Sequence, residues 1–246
     1  MKTGRQSSDW NRWWLVVVYA IAMAWVESAV VFYLRTMINR IEPYQPNPLP
    51  EIGGFALVEL TRELATLVML FVVGVLAGRT WRARLGYSAI AFGVWDIFYY
   101  LFLKVICDWP HSLLDWDILF LLPMPWWGPV LAPVLISLLL ISWGTVASQV
   151  EPTVAPAVPA WPAWWLGMAG IALALRVFMA DALAERHHGL AAIRMVLPVR
   201  FNWPAFSLAL LLMAAACVQA NWRLLSRSPA KRKASGEMGD MNARTN

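Results

Sequence analysis

Residues 55–77 read FALVELTRELATLVMLFVVGVLA. The stretch is apolar over a length that crosses about 30 Å of hydrocarbon at 1.5 Å per residue. It nevertheless carries Glu59, Arg62 and Glu63. A charge at membrane depth costs at least ~2.5–3.5 kcal/mol on insertion scales, so such residues usually face a partner or a wet cavity. Positions i, i+3 and i+4 share one side of a helix. The segment therefore reads as a membrane span with one charged face turned inward.

The same pattern recurs along the chain. Apolar blocks predict six spans, at roughly 13–34, 55–77, 85–106, 127–147, 164–183 and 204–222. The composition agrees: 60% of the 246 residues are hydrophobic and 14% charged, against about 25% charged in a soluble domain. The fold class expected is an all-α polytopic membrane protein. Four spans make up residues 1–148, and a Pro-rich linker covers 149–162. Two further spans fill 163–223, and a basic tail follows at 224–246. No inverted repeat relates the two parts.

Prolines shape the segments between spans. Pro43, Pro46, Pro48 and Pro50 make the loop at 35–53 extended. Pro110, Pro123, Pro125, Pro129 and Pro133 rule out one continuous helix over 108–133. Residues 112–122 are expected to form an interfacial or re-entrant helix, with the fourth span starting near Trp127. Broken backbone at membrane depth is tolerated only where protein or a water-filled cavity covers it.

Orientation follows from Lys and Arg outside the hydrocarbon. One side has Lys2, Arg5, Arg12, Arg79, Arg82 and Arg84, plus six basic residues from Arg223 to Arg244. The other has Arg35, Arg40, Lys104, Arg186, Arg194 and Arg200, so the count is twelve against six. Both termini are then expected on the cytoplasmic side of a multi-pass protein, most simply of a bacterial inner membrane. Trp13, Trp14, Trp81, Trp164, Trp165 and Trp222 would mark the inner interface, and Trp109, Trp116 and Trp203 the outer one. Lys2, Arg5 and Arg12 also precede an Ala20-Ile21-Ala22 sequence that resembles a signal-peptidase site. The apolar run continues to Leu34, which favours an uncleaved helix.

Helix rise places several charges in one slab near the outer third of the bilayer. Glu27 lies about 22 Å past Arg12, and Asp96 about 18 Å past Arg84. Glu63 lies about 12 Å inward from Phe55, and Arg176 about 18 Å past Trp164. Asp96, Tyr99 and Tyr100 share a face of the third span, with Lys104 one turn further out. The candidate site is thus Glu27, Glu59, Arg62, Glu63, Asp96, Tyr99, Tyr100, Lys104 and Arg176. Asp108, His111, Asp115 and Asp117 form an acidic rim that reads as a solvated loop rather than a Mg²⁺ or Ca²⁺ site. His187 and His188 point apart on a helix and read as surface residues.

Several chemistries are disfavoured. No histidine lies in a span, which argues against haem held there by His pairs. The chain lacks a P-loop, H-E-x-x-H and G-x-S-x-G, so P-loop nucleotide binding and those zinc and serine hydrolase types are not expected. Cys107 and Cys217 fall at different depths and are not expected to pair. The formal charge of +5 sits at helix ends and in the tail, where it serves topology rather than nucleic acid. The bilayer is the expected partner, with a small molecule, an ion or a lipid as ligand; no partner subunit is indicated.

Three functions fit. In a binding or transport protein, Arg62 and Arg176 would hold an anionic group, and Glu27, Glu63 and Asp96 a cation or proton. In an intramembrane enzyme acting on a lipid or lipid-linked substrate, Asp96 or Glu63 would be the base. Arg62 would then bind phosphate, and Tyr99 or Tyr100 would donate a proton. In an accessory protein, the charges would only lock helices together.

Overall fold

The computed structural model describes residues 2–45, 55–121, 124–150, 161–189 and 197–226. Its elements run α1 (Lys2–Met37), α2 (Phe55–Ala77), α3 (Trp81–Cys107), β1 (Trp116–Phe120), β2 (Trp126–Pro129) and α4 (Leu131–Gln149). They continue with α5 (Trp161–Phe178), the short α6 (Ala180–Ala184), a 3-10 turn over Glu185–His188, and α7 (Trp203–Ser226). Six helices are long and apolar enough to cross a membrane, within Trp10–Met37, Leu57–Ala77, Trp81–Cys107, Leu131–Gln149, Trp161–Phe178 and Trp203–Trp222. The chain is a multi-pass membrane protein. Most of the expected Pro-rich linker and of the basic tail lies outside the described residues.

The helix expected at 112–122 is instead an antiparallel hairpin. Trp116 pairs with Pro129, Asp117 with Gly128 and Ile118 with Trp127, with an irregularity before Phe120. The fold is therefore mostly helical but not all-α. The segment Trp116–Phe120 is rich in aromatic and branched residues, which suit a pleated strand better than a helix. Because β2 takes up Trp126–Pro129, the fourth span starts at Leu131 rather than near residue 127. The fifth ends at Phe178 rather than 183. The backbone at Met179 (φ −94°, ψ 7°) leaves helical geometry before α6 resumes.

The helices alternate in direction. One end of the bundle, the hairpin end, gathers the C-termini of α1, α3 and α5, the N-termini of α2, α4 and α7, and the hairpin itself. The main interfaces are α3 with α4, α5 with α7, α1 with α3 and α2 with α3, while α4 also meets α7. Gly86 and Gly144 let α3 and α4 approach closely: a Cβ at Gly86 would lie 2.9 Å from the Gly144 carbonyl oxygen and 3.2 Å from Ala147 Cβ. Close backbone approach through small residues is the usual way lipid-embedded helices associate.

Among the described residues, the two largest of three buried apolar clusters are built on the helices. One joins Val16, Ala20 and Ala24 of α1 to Leu70 of α2 and Ile90 and Val94 of α3. The other joins Ala174 and Phe178 of α5 to Phe206, Ala209 and Met213 of α7. Ser28, fully buried, sits where α1 crosses α3. Its Oγ lies 2.7 Å from the Ala24 carbonyl and 3.0 Å from the Tyr99 carbonyl, and its one proton serves one of them.

Tryptophan positions sort in the same way. Trp14, Trp81, Trp164, Trp165 and Trp222 are exposed, as interface residues should be. Trp13 donates its indole N–H to Thr145 Oγ1 at 3.1 Å. Trp109, expected at the outer interface, is buried instead.

Candidate functional site

A cavity of about 350 Å³ lies at the hairpin end and is lined in part by residues of all three apolar clusters. Five acids line it: Glu27, Glu59, Glu63, Asp96 and Asp117. Three arginines, Arg35, Arg40 and Arg62, line it as well. Were every group ionised, the lining would carry 3 − 5 = −2.

The first group of charges is built on α2. Arg62 Nε donates to Glu59 Oε2 at 3.0 Å, one turn away on the same helix. The same guanidinium ion-pairs with Glu27 of α1. Thr66, the next residue along that face, donates its hydroxyl to Glu27 Oε2 at 3.2 Å. One cation therefore bridges two carboxylates and ties α1 to α2. Glu63 is turned toward the hairpin, where both its oxygens accept from the Leu121 backbone N–H at 3.1 and 3.2 Å.

The second group joins α1 to β1. Arg35 Nη2 donates to Asp117 Oδ1 at 2.9 Å, and its guanidinium carbon lies 4.3 Å from the centre of the Trp109 ring. Asp117 also accepts from the Ile118 N–H at 2.9 Å, and the Tyr100 hydroxyl is within hydrogen-bonding range of its carboxylate. A buried carboxylate needs that many donors to offset its lost hydration. Arg40, just beyond α1, donates to the Pro43 carbonyl from Nε at 3.1 Å and from Nη2 at 3.0 Å.

Asp96 lies deeper on α3 and accepts from Ser137 Oγ of α4 at 2.8 Å. Among the described residues neither Asp96 nor Glu63 forms a salt bridge, whereas Glu27, Glu59 and Asp117 each do. Nearby, Trp95 and Trp126 line the cavity with indole N–H groups that are buried and find no acceptor among the described residues. Trp95 as a whole is 8% exposed. A buried donor left unmatched costs about 1–3 kcal/mol, so an acceptor brought by a ligand would be favoured there.

The structure brings together seven of the nine residues expected at the site: Glu27, Glu59, Arg62, Glu63, Asp96, Tyr99 and Tyr100. Lys104 is apart from them. It is exposed and pairs with Asp108 at 2.7 Å, where the ammonium holds the Asp108 carboxyl below its usual range. Arg176 is also apart. On α5 the cavity face is Ile171, Ala174, Leu175 and Phe178, and Arg176 lies off that face, exposed in the last turn. There it complements the negative end of the helix dipole.

Sequence reasoning missed Arg35, Arg40, Thr66, Ser137 and the burial of Asp117. The acidic rim is not one solvated loop. Asp108 and His111 are exposed, and Asp115 accepts from the backbone N–H groups of His111 and Ser112. Asp117 is 1% exposed and belongs to the cavity. A signal was present, since Asp117 sits inside the apolar run Trp116–Leu122. His187 and His188 are exposed and contact their sequence neighbours Arg186 and Glu185.

Comparison with protein-family models, with curated proteins and with solved structures finds no match to this chain. Its function is therefore argued from the geometry of this cavity.

Proposed function

We propose that this membrane protein binds a small ion or polar solute in the cavity at the hairpin end, as part of carrying it across the bilayer. With both termini cytoplasmic, that end faces outward and the charges occupy the outer third of the membrane. The observation that supports this reading is the pairing pattern. Glu27, Glu59 and Asp117 are in salt-bridge contact with arginines, while Asp96 and Glu63 line the same cavity without one. Their direct hydrogen bonds come from neutral donors, although Arg62 is near enough to Glu63 to act on it electrostatically. Charges kept for packing would be expected in matched pairs. Carboxylates without a cation in salt-bridge contact, facing a cavity, suit a cation or proton that comes and goes.

An intramembrane enzyme acting on a lipid-linked substrate is the weaker reading. It needs Arg62 to bind phosphate, and Arg62 is already shared between Glu27 and Glu59.

The deciding experiment compares thermal midpoints, in mild detergent, of Asp96→Asn, Glu63→Gln and the wild type. Proton flux is then followed in proteoliposomes loaded with a pH-sensitive dye. A midpoint that is unchanged or raised, with altered flux, supports the reading, since functional groups are often held at a stability cost. A fall in both variants of the size expected for a broken buried pair, about 3–5 kcal/mol, with no change in flux, would mean purely structural charges.

A further inference from the structure

The cavity has two chemically different walls. Its charged and hydroxyl-bearing residues all come from α1, α2, α3, β1 and the turn after α1. Every cavity residue contributed by α4, α5 and α7 is apolar: Pro133 and Ile136, then Ile171, Ala174, Leu175 and Phe178, then Met213. A site for a bare ion or a small hydrophilic solute would surround its ligand with polar groups. A wall with none of them would leave part of such a ligand's hydration unreplaced.

The cavity also has a side. Ile171 lines it and is 45% exposed on the outer surface of α5. Across from it, the Glu59 and Arg62 side chains on α2 are each 20% exposed. Among the described residues α2 and α5 form no extensive interface. Both helices nevertheless line the cavity, and each has a cavity residue that is partly exposed.

The guanidiniums and the carboxylates are not equally free. Arg62 and Arg35 are each in salt-bridge contact with acid partners, whereas Asp96 and Glu63 are in salt-bridge contact with no cation among the described residues. Trp95 and Tyr99, with ring centroids 6.0 Å apart and nearly stacked, line the cavity one residue before and three residues after Asp96 on α3. Aromatic faces beside a carboxylate attract an organic ammonium more than an anion. The unmatched Trp95 N–H adds a place for one oxygen acceptor on the ligand.

Resting on the binding function proposed for this cavity, we infer that the ligand is an amphiphile with a cationic head. The head sits against Asp96 and Glu63, and the apolar body lies along α4, α5 and α7. It reaches the cavity from within the bilayer, between α2 and α5.

The test uses the full-length protein in lipid nanodiscs and three probes: octyltrimethylammonium, octyl sulfate and tetramethylammonium. Binding is read as saturable uptake above that of protein-free nanodiscs, referred to the free aqueous concentration. Octyltrimethylammonium is expected to bind at one site, roughly a hundredfold more tightly than tetramethylammonium, because the chain buries many CH₂ groups. Asp96→Asn and Glu63→Gln should each weaken it roughly tenfold, with thermal midpoints recorded to show that both variants are folded. Ile171→Trp, at the exposed rim of the cavity, should slow its association.

Each other result removes a defined part. Tetramethylammonium bound as tightly as octyltrimethylammonium would overturn the amphiphile and leave the polar-solute reading standing. Octyl sulfate bound equally well would overturn the cationic head. Unchanged association in Ile171→Trp would overturn the lateral route. No saturable binding of any probe would overturn this inference, and the proposed function would still be decided by the flux assay.

Discussion

Arg35 and Asp117, 82 positions apart in the chain, meet at 2.9 Å in a buried contact that fastens the end of α1 to the hairpin. The Trp109 ring covers the guanidinium from one side and the Tyr100 hydroxyl approaches the carboxylate from the other. Removing one partner leaves an uncompensated buried charge, which typically costs about 3–5 kcal/mol. Arg35→Met and Asp117→Leu are each expected to lower the thermal midpoint sharply in mild detergent. The double variant should recover much of the loss, because a well-packed apolar pair often replaces a buried ion pair at little cost. A double variant as unstable as the sum of the singles would mean that the two side chains are not coupled and that the contact does not persist in the bilayer.

The bridge from Arg62 to Glu27 and Glu59 predicts non-additive effects. Residues in one network show coupling of about 0.5–3 kcal/mol in double-mutant cycles. Glu27→Gln, Arg62→Gln and their combination should give a midpoint change in the double variant well below the sum. Thr66→Val, which removes only the hydroxyl donated to Glu27, should cost about 0.5–1.5 kcal/mol. Strict additivity of Glu27 and Arg62 would mean that the bridge does not persist in the bilayer.

Close approach of α3 and α4 predicts a sharp contrast between two glycines. At Gly86 an added Cβ meets the Gly144 carbonyl oxygen and the Ser148 N within 2.9–3.2 Å. Gly86→Ala should therefore destabilise by about 1–3 kcal/mol through overpacking. At Gly167 the nearest atom would be Ala216 Cβ at 3.6 Å, an ordinary contact. Gly167→Ala should be neutral or stabilising by up to about 1 kcal/mol, since alanine favours the helix. Equal effects at the two sites would contradict the packing described.

Lys104 and Asp108 give a pH-dependent prediction at the exposed end of α3. The ammonium lowers the Asp108 carboxyl from its ordinary range. The folded value is then below the unfolded one. The pair's contribution is present above the unfolded value and is lost as pH falls through the depressed one. Carboxyl titration by NMR should show Asp108 protonating at lower pH than an isolated aspartate, and Lys104→Ala should move it back up. An unchanged titration in that variant would show that the contact is not kept in solution.

The charged face of α2 is legible in the amino-acid sequence alone, because i, i+3 and i+4 spacing needs only helical geometry. The same holds for Asp96, Tyr99 and Tyr100 on α3. Arg176 is misplaced by sequence reasoning for a reason that spacing does not contain: which face of α5 turns inward depends on where α4 and α7 lie. Arg35 sits at the end of an apolar run, where a basic residue normally serves as a topology signal. Only the long-range pairing with Asp117 marks it as part of the cavity. The hairpin is hidden by its own prolines. Pro123, Pro125 and Pro129 argue correctly against a continuous helix, but do not say that the residues on either side pair with each other.

The Glu59–Arg62 contact lies within a single helix, one turn apart. It forms as soon as α2 is helical, before any neighbour is present. α2 thus presents the insertion machinery with roughly one uncompensated carboxylate, Glu63, in place of three separate ions. At ~2.5–3.5 kcal/mol per central charge, that is the difference between a segment that the remaining apolar residues carry into the bilayer and one that needs help. Glu27 of α1, by contrast, enters first and alone, and it waits for α2 to bring its counter-charge. Early pairing of the first two helices is therefore the expected route by which Glu27 loses its unbalanced charge in the bilayer.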